Sequence, residues 1–373
     1  MSSRKIRVLL VFGGRSAEHE VSVVSARSVL EALDPERYEV VAVGIDKEGG
    51  WHLLPGPPAL PEGTTGELPA VATAGSDVSL DRVPGTRELV SSSGDREPID
   101  VVFPLVHGPF GEDGTLQGLF EMAGIPYVGA GVLGSAVGMD KAVQKVLFTA
   151  AGLPVASHEV VTEREWREDP EAVTARAEAL GTPLFVKPAT LGSSVGITKV
   201  KTLADLEPAM QAALRYGRKA LIEQGAAGVR ELECAVLGNE DPAASVAGEI
   251  IPTAEFYDYR AKYLDESTRL VVPAEVPAEV AEEVQRMAVA AFRAIDAAGM
   301  ARVDFFYREP DELIVNEINT IPGFTTVSMY PRLWEASGVS YPELVDRLIG
   351  LAVERHELER GRGGVPQPEP DGS

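Results

Sequence analysis

Continuous apolar runs separated by amphipathic stretches dominate the first third of the chain. Ile6 to Phe12 is unbroken, as in a parallel strand covered on both faces. Gly13-Gly14 ends it, a helical pattern runs from about Ala17 to Leu33, and Tyr38 to Ile45 predicts the next strand. Residues 50–98 are rich in Pro, Gly, Ser and Thr and lack a period, which predicts loops and edge elements. Ile99–Val106 (strand), Thr115–Ala123 (helix) and Ile125–Val128 (strand) complete an α/β unit.

A second unit begins near a helix over Asp140–Ala151. Strands follow around Val155–Val161, Pro183–Pro188, Gly196–Val200 and Leu221–Glu223. A third opens with strand patterns at Arg230–Leu237 and Ser245–Pro252. Val280, Val284, Met287, Ala291, Ile295 and Ala298 recur at helical spacing and form one apolar face. Two strands, Ala301–Arg308 and Leu313–Asn319, flank a turn with Pro310 and Asp311, and a last helix covers about Pro342–Glu357. Gly361 to Ser373 reads as a disordered tail.

Composition narrows the function. The 373 residues exceed one ordinary core. No apolar run approaches the roughly 18–20 residues that a membrane span requires. The N-terminus runs straight into a strand, leaving no room for a signal peptide, so a cytoplasmic location is expected. The single cysteine, Cys234, lies in an apolar strand pattern and reads as a buried, inert thiol. A formal net charge of −23 argues against nucleic acid or an anionic membrane as partner. Any anionic substrate therefore demands a local concentration of cations.

Five segments offer chemistry. Along the first late strand Arg302 and Asp304 share a face, because side chains alternate. On the second, Glu317 and Asn319 share one, with Val315 in phase and Ile314, Asn316 and Ile318 opposite. A hairpin sets Asp304 beside Glu317 and Asn319, an oxygen donor set suited to Mg²⁺ held together with phosphates; the bland reading is a solvated acidic face. Lys187 ends a strand and leads into a small flexible loop, Ala189–Gly196. Such a loop either folds its amides over phosphates or is an ordinary connection, and it is not a Walker A sequence. Phe256–Tyr263 (FYDYRAKY) is aromatic and basic. Glu18 follows the first strand, where it either holds an ammonium group or offsets a helix macrodipole. His107 ends another strand before a glycine-rich loop. Gly129–Gly134 fits GxGxxG, but its mid-chain strand and broken helix argue against a nicotinamide site.

Taken in order, Gly14–Ser22 (GRSAEHEVS), His107–Gly118 (HGPFGEDGTLQG), Met139–Lys141 (MDK), Lys187–Gly196, FYDYRAKY, Ala301–Phe305 (ARVDF) and Asn316–Gly323 (NEINTIPG) resemble D-alanine–D-alanine ligases of the ATP-grasp superfamily. The resemblance spans about residues 4–357. It implies a three-domain α/β architecture, α+β in its ATP-binding part: a doubly wound parallel-sheet domain (1–138), central (139–228) and C-terminal (229–360) ATP-grasp subdomains, and the tail 361–373. It implies ATP as a substrate, with Lys141, Lys187, Ser193, Ser194 and Lys262 toward the phosphates. Glu223 and Glu231 match positions that hold adenine amino and ribose hydroxyl groups. Gln224 replaces a common lysine where backbone contacts read the base. Asp304, Glu317 and Asn319 match ligands of two Mg²⁺, for which Mn²⁺ substitutes.

By the same resemblance, Glu18 binds the first substrate's ammonium with His107 nearby, and Ser328 holds the second substrate's carboxylate. Arg302 and the Gly323 N–H stabilise an oxyanion, and the set Glu18–Ser193–Tyr263 assists deprotonation of the amine. Tyr263 in an intact loop favours an amine nucleophile over a D-lactate hydroxyl. The implied product is D-alanyl-D-alanine for peptidoglycan and cell shape in a bacterial cytoplasm, made by a homodimer.

Overall fold

The computed structural model describes residues 4–56, 70–71, 75–81, 83, 85–193, 195–225, 228–251 and 269–362. Ser194, Lys262, Tyr263 and the whole FYDYRAKY segment therefore lie outside the described residues. The described residues form three sheets.

The first sheet is seven-stranded: β1 (Ile6–Gly13), β2 (Tyr38–Ile45), β3 (Trp51–Leu53), β4 (Ser76–Leu80), β5 (Glu88–Ser91), β6 (Arg96–Pro98) and β7 (Val101–Pro104), in the order β6-β5-β4-β3-β2-β1-β7. Its core pairs, β1 with β2 and β1 with β7, are parallel. The Pro/Gly/Ser-rich stretch supplies β3–β6, which add antiparallel strands to one side. Helix α1 (His19–Ala32) follows β1, and α2 (Thr115–Ala123) and α3 (Val132–Met139) follow β7. The expected strand at Ile125–Val128 is reduced to a single bridge, Val102 with Tyr127. Gly13 must be glycine: φ is +88°, and a Cβ there would stand 2.3 Å from the Ile45 carbonyl oxygen. The chain therefore turns sharply off β1 and brings Glu18 back over the strand ends.

Helix α4 (Lys141–Ala150) is N-capped by Asp140, which accepts from the amides of Ala142 and Val143. The second sheet, β8 (His158–Thr162), β9 (Leu184–Pro188), β10 (Thr198–Val200) and β11 (Lys219–Gln224), is antiparallel in the order β10-β9-β11-β8. Its apolar face packs with α5 (Glu163–Glu168), α6 (Pro170–Leu180) and α7 (Leu206–Leu214).

The third sheet has the order β14-β13-β12-β15-β16, from β12 (Arg230–Gly238), β13 (Ala243–Ile251), β14 (Arg269–Val271), β15 (Gly299–Arg308) and β16 (Glu312–Asn319). One face packs against α8 (Ala278–Ala294), whose Val284, Met287 and Ala291 are buried as the spacing predicts. Cys234 sits in this core, fully buried and free, and burial pushes its thiol up to about 12. The native protein is expected to show no titration by a thiol reagent at pH 8, and one equivalent in denaturant.

Helices α9 (Met329–Ala336) and α10 (Tyr341–Arg362) close the fold. The last helix passes the expected end at Glu357 and takes in Gly361 and Arg362, the first residues of the expected tail. No proline intervenes before Arg362 to stop it. One apolar cluster joins β1 and β7 to α1, α9 and α10 through Phe12, Phe103, Phe324, Tyr330 and Leu348, so the first and third sheets share a core. No described helix is long and apolar enough to cross a membrane.

Candidate active site

A cavity of about 300 Å³ opens where the first sheet, the 189–196 loop and the third sheet meet. Glu18, His107, Ser193, Arg302, Glu317, Asn319, Gly323 and Ser328 all line it, although they are drawn from segments more than 300 residues apart in sequence.

The β15–β16 hairpin supplies its floor. Asp304 pairs directly across from Glu317 and Arg302 from Asn319. The expected phase of β16 needs one correction. The register slips between Asp304 and Phe305, where Glu317 pairs with Asp304 but Val315 pairs with Phe305, leaving Asn316 as the extra residue. Val315 therefore lies in the core with Ile318 and not on the face of Glu317 and Asn319. The bulge lets β16 point Leu313 and Val315 into the core, then Ile318 as well, while Glu317 and Asn319 reach the cavity.

Arg302 donates to both oxygens of Asp304, at 2.7 and 2.8 Å, and lies 3.1 Å from Glu233 on β12. Asn319 donates to Asp304 at 3.1 Å, and Lys141 reaches Glu317 at 3.0 Å. Burial opposes the Lys141 charge, but Glu317 and the neighbouring carboxylates outweigh it and hold its pKa up. Asp304, Glu317 and the Asn319 amide fit the oxygen donor set a divalent cation takes beside phosphates. Among the described residues no group of three His, Cys, Asp or Glu side chains is arranged to hold a metal by itself.

Glu18 is the N-cap residue of α1 yet makes no side-chain capping bond. Its carboxylate instead accepts from the Ser193 hydroxyl, which joins two members of the expected three-residue set. Ser193 has φ +51°, a left-handed conformation unusual for a residue with a side chain. His107 is buried, and its Nδ1 lies 3.0 Å from the Ile321 carbonyl oxygen. Burial lowers its pKa, against the pull of Glu18, so the ring is neutral near pH 7. With Nδ1 donating to Ile321, Nε2 is a bare acceptor, and no described hydrogen-bond partner meets it.

The turn carrying Gly323 is fixed from both sides. Glu112 accepts from the Ile321 amide at 3.0 Å and from Gly108 at 2.6 Å, while His107 takes the Ile321 carbonyl. Phe324 is buried among Phe103, Tyr330 and Tyr341, and Tyr341 donates to its carbonyl at 2.6 Å. Ser328 starts α9 and its hydroxyl lies 2.7 Å from that of Thr325.

Burial, with the charge of Glu18 adding, pushes Glu112 up to about 8. An unfolded glutamate ionises near pH 4.3, so between roughly pH 4.5 and 8 the unfolded chain sheds a proton that the native state keeps. Stability from this group is complete below that window and is lost as pH rises through it. Urea melts at pH 5, 6.5 and 8 should show wild type losing stability more steeply than Glu112→Gln; parallel curves would refute the assignment.

Of the other expected nucleotide residues, Lys187, Glu223, Gln224 and Glu231 are described, and none of these four lines the cavity. Lys187 ends β9, and both it and Lys145 pair with the carboxylate of Glu223 on β11. Glu223 is thus engaged by two ammonium groups. The Gln224 side chain is exposed while its backbone N–H donates to the Ser157 carbonyl oxygen, and Glu231 is half-buried on β12 opposite Phe306. The Gly129–Gly134 sequence serves packing: a Cβ on Gly134 would stand 2.6 Å from the Asp296 carbonyl oxygen, and Arg355 donates to the Gly129 carbonyl. Sequence reasoning missed Glu112, Lys145 and Glu233. Glu233 carried a signal, an acid inside an apolar strand pattern.

The architecture of three sheets, with a cavity lined from the first and third of them, is that of an ATP-grasp ligase. Residues 7–130 match the family model described as D-ala D-ala ligase N-terminus, and residues 147–350 the one described as D-ala D-ala ligase C-terminus. A curated D-alanine–D-alanine ligase of Geobacillus thermodenitrificans is 51% identical over 357 residues, covering 95% of this chain and 97% of its own. The solved D-alanine–D-alanine ligase of Coxiella burnetii superposes with a TM-score of 0.84 at 37% identity, over 96% of this chain and 97% of the other. The VanG D-Ala:D-Ser ligase of Enterococcus faecalis gives 0.82 at 33% identity, over 94% and 100%. The chain belongs to the D-alanine–D-alanine ligase family.

Proposed function

We propose that the protein joins two D-alanines to D-alanyl-D-alanine at the expense of ATP, for peptidoglycan precursor synthesis in a bacterial cytoplasm. The observation that carries this reading is the cavity, which pairs an anionic site for an ammonium group (Glu18, with the bare His107 Nε2) with the Arg302 guanidinium, while Lys141 reaches the lining residue Glu317. A carboxylate is a poor acyl donor. Transfer of the γ-phosphoryl group to a carboxylate oxygen of the first D-alanine gives an acyl phosphate and ADP. The amine of the second attacks its carbonyl carbon, and phosphate leaves with the former carboxylate oxygen.

Glu18 holds the first ammonium group, and Arg302 with the Gly323 N–H receives the oxyanion that develops. Ser328 binds the second carboxylate. The Glu18–Ser193 pair, completed by Tyr263, guides the proton from the amine. Lys141, Lys187, Ser193, Ser194 and Lys262 offset phosphate charge, with Glu223, Gln224 and Glu231 around the nucleoside. Mg²⁺ held by Asp304, Glu317 and Asn319 would supply charge neutralisation for phosphoryl transfer. The division into 1–138, 139–228 and 229–360 is supported by one sheet falling within each, and a homodimer is the expected assembly.

Acceptor choice is the test, because a D-serine-using relative shares the fold. Purified protein with ATP, Mg²⁺ and D-alanine, alone or with D-serine or D-lactate, should yield D-alanyl-D-alanine as the main product. Turnover that requires D-serine or D-lactate would overturn the reading.

A further inference from the structure

Lys145 is 1% exposed, and the family resemblance gives it no role. It lies on α4 one turn after Lys141, so the two ammonium groups leave the same face of the helix. Lys141 reaches Glu317 of the cavity floor, whereas Lys145 reaches inward to Glu223. The other oxygen of Glu223 takes Lys187, which leads into the 189–196 loop. Gln144 fixes the helix against β16 by a bond in each direction with the Ile318 peptide, both 3.2 Å, and Lys145 also approaches the Asn316 carbonyl at 3.4 Å. Lys145, Glu223 and Lys187 thus form a buried row of two cations on one anion.

We propose that Lys145 is a positioning residue for nucleotide binding: it keeps the Glu223 carboxylate ionised and anchored, so that Lys187 can turn from Glu223 to a phosphate without leaving a bare buried charge. The inference rests on the reading of Lys187 as a phosphate ligand. Removing one member of a buried pair is costly because the remaining charge loses its partner. Without Lys145, Glu223 has only Lys187 and retains it, and the nucleotide must break that pair unaided. Both oxygens of Glu223 are occupied and the group is almost fully enclosed, so Lys145 touches no ligand and acts only through its carboxylate partner. Burial lowers the Lys145 pKa, Glu223 opposes this, and the nearby Lys187 adds to the lowering, as expected for two cations sharing one carboxylate.

The test is calorimetric titration with MgATP in the absence of D-alanine, alongside steady-state kinetics, on wild type, Lys145→Met, Glu223→Gln and the double variant. Lys145→Met should weaken MgATP binding and raise KM for ATP by about tenfold or more, with KM for D-alanine unchanged. Once Glu223 is neutral, Lys145 should have nothing left to do, and the double variant should bind MgATP as Glu223→Gln does. The double variant is compared only with Glu223→Gln, in which Lys187 has likewise lost its carboxylate, so the comparison stands even where Lys145→Met alone fails to fold. Unchanged MgATP affinity in folded Lys145→Met, or a further loss in the double variant relative to Glu223→Gln, would overturn the proposal. Failure of wild type to bind MgATP would instead remove the nucleotide reading on which it rests.

Discussion

Arg302→Met is expected to lower kcat by about 10²–10³-fold, roughly 3–4 kcal/mol of transition-state stabilisation, with a much smaller change in KM for ATP. The guanidinium is held in place by Asp304 and Glu233 before any substrate arrives, with bonds of 2.7 and 2.8 Å to the first. A donor fixed in this way costs little reorganisation when negative charge appears on the attacked carboxyl. Lysine at this position would restore charge but not the planar fork that Asp304 holds, so Arg302→Lys should recover only part of the loss. A kcat within threefold of wild type in Arg302→Met would exclude Arg302 from the chemistry, and the same result in Arg302→Lys alone would exclude a need for the planar fork.

Asp304→Ala should cost more, at least about 10³-fold, because one carboxylate serves two ends. It accepts from Arg302 and Asn319, and it faces Glu317 across the hairpin as half of the candidate cation site. Its loss frees Arg302 to swing toward Glu233 and removes an oxygen ligand together. Titrating Mg²⁺ separates the two effects. A variant rescued several-fold by tens of millimolar Mg²⁺ has lost mainly a ligand. One indifferent to Mg²⁺ has lost mainly the alignment of Arg302. Activity near wild type at ordinary Mg²⁺ would dismiss Asp304 from both roles.

The hairpin that carries these residues was legible because two-residue alternation survives along β15: Arg302 and Asp304 share the face away from the core, while Val303, Phe305 and Tyr307 are core. The same rule misplaced Val315, since a bulge adds a residue without leaving a mark on hydropathy. Helices α5 and α6 escaped notice for a related reason. Pro170 reads as a break, but it occupies the first turn of α6 behind the Asp169 cap, where a missing amide costs nothing. Short edge strands β3–β6 have too few residues each to show a period.

At the site, the clustered motifs were legible and their supports were not. Glu112 finds Ile321 some 200 residues later, and Lys145 meets Glu223 across the sheet interface. Neither partner choice is encoded locally. Local cations are present despite a net charge of −23: Lys141, Lys145, Lys187 and Arg302 are each tied to a carboxylate. Glu18 was open to two readings from sequence, and its contact with Ser193, 175 residues further along the chain, is not encoded locally either.

This cavity is expected to activate a carboxylate by phosphorylation and then to couple it to an amine. D-alanine labelled with ¹⁸O in its carboxylate, incubated with ATP and Mg²⁺, tests it directly by mass spectrometry of the released phosphate and the dipeptide. Each D-alanyl-D-alanine formed should be matched by one ADP and one phosphate carrying a single substrate-derived ¹⁸O. Dipeptide accompanied by unlabelled phosphate, or formed without ATP consumption, would contradict the account.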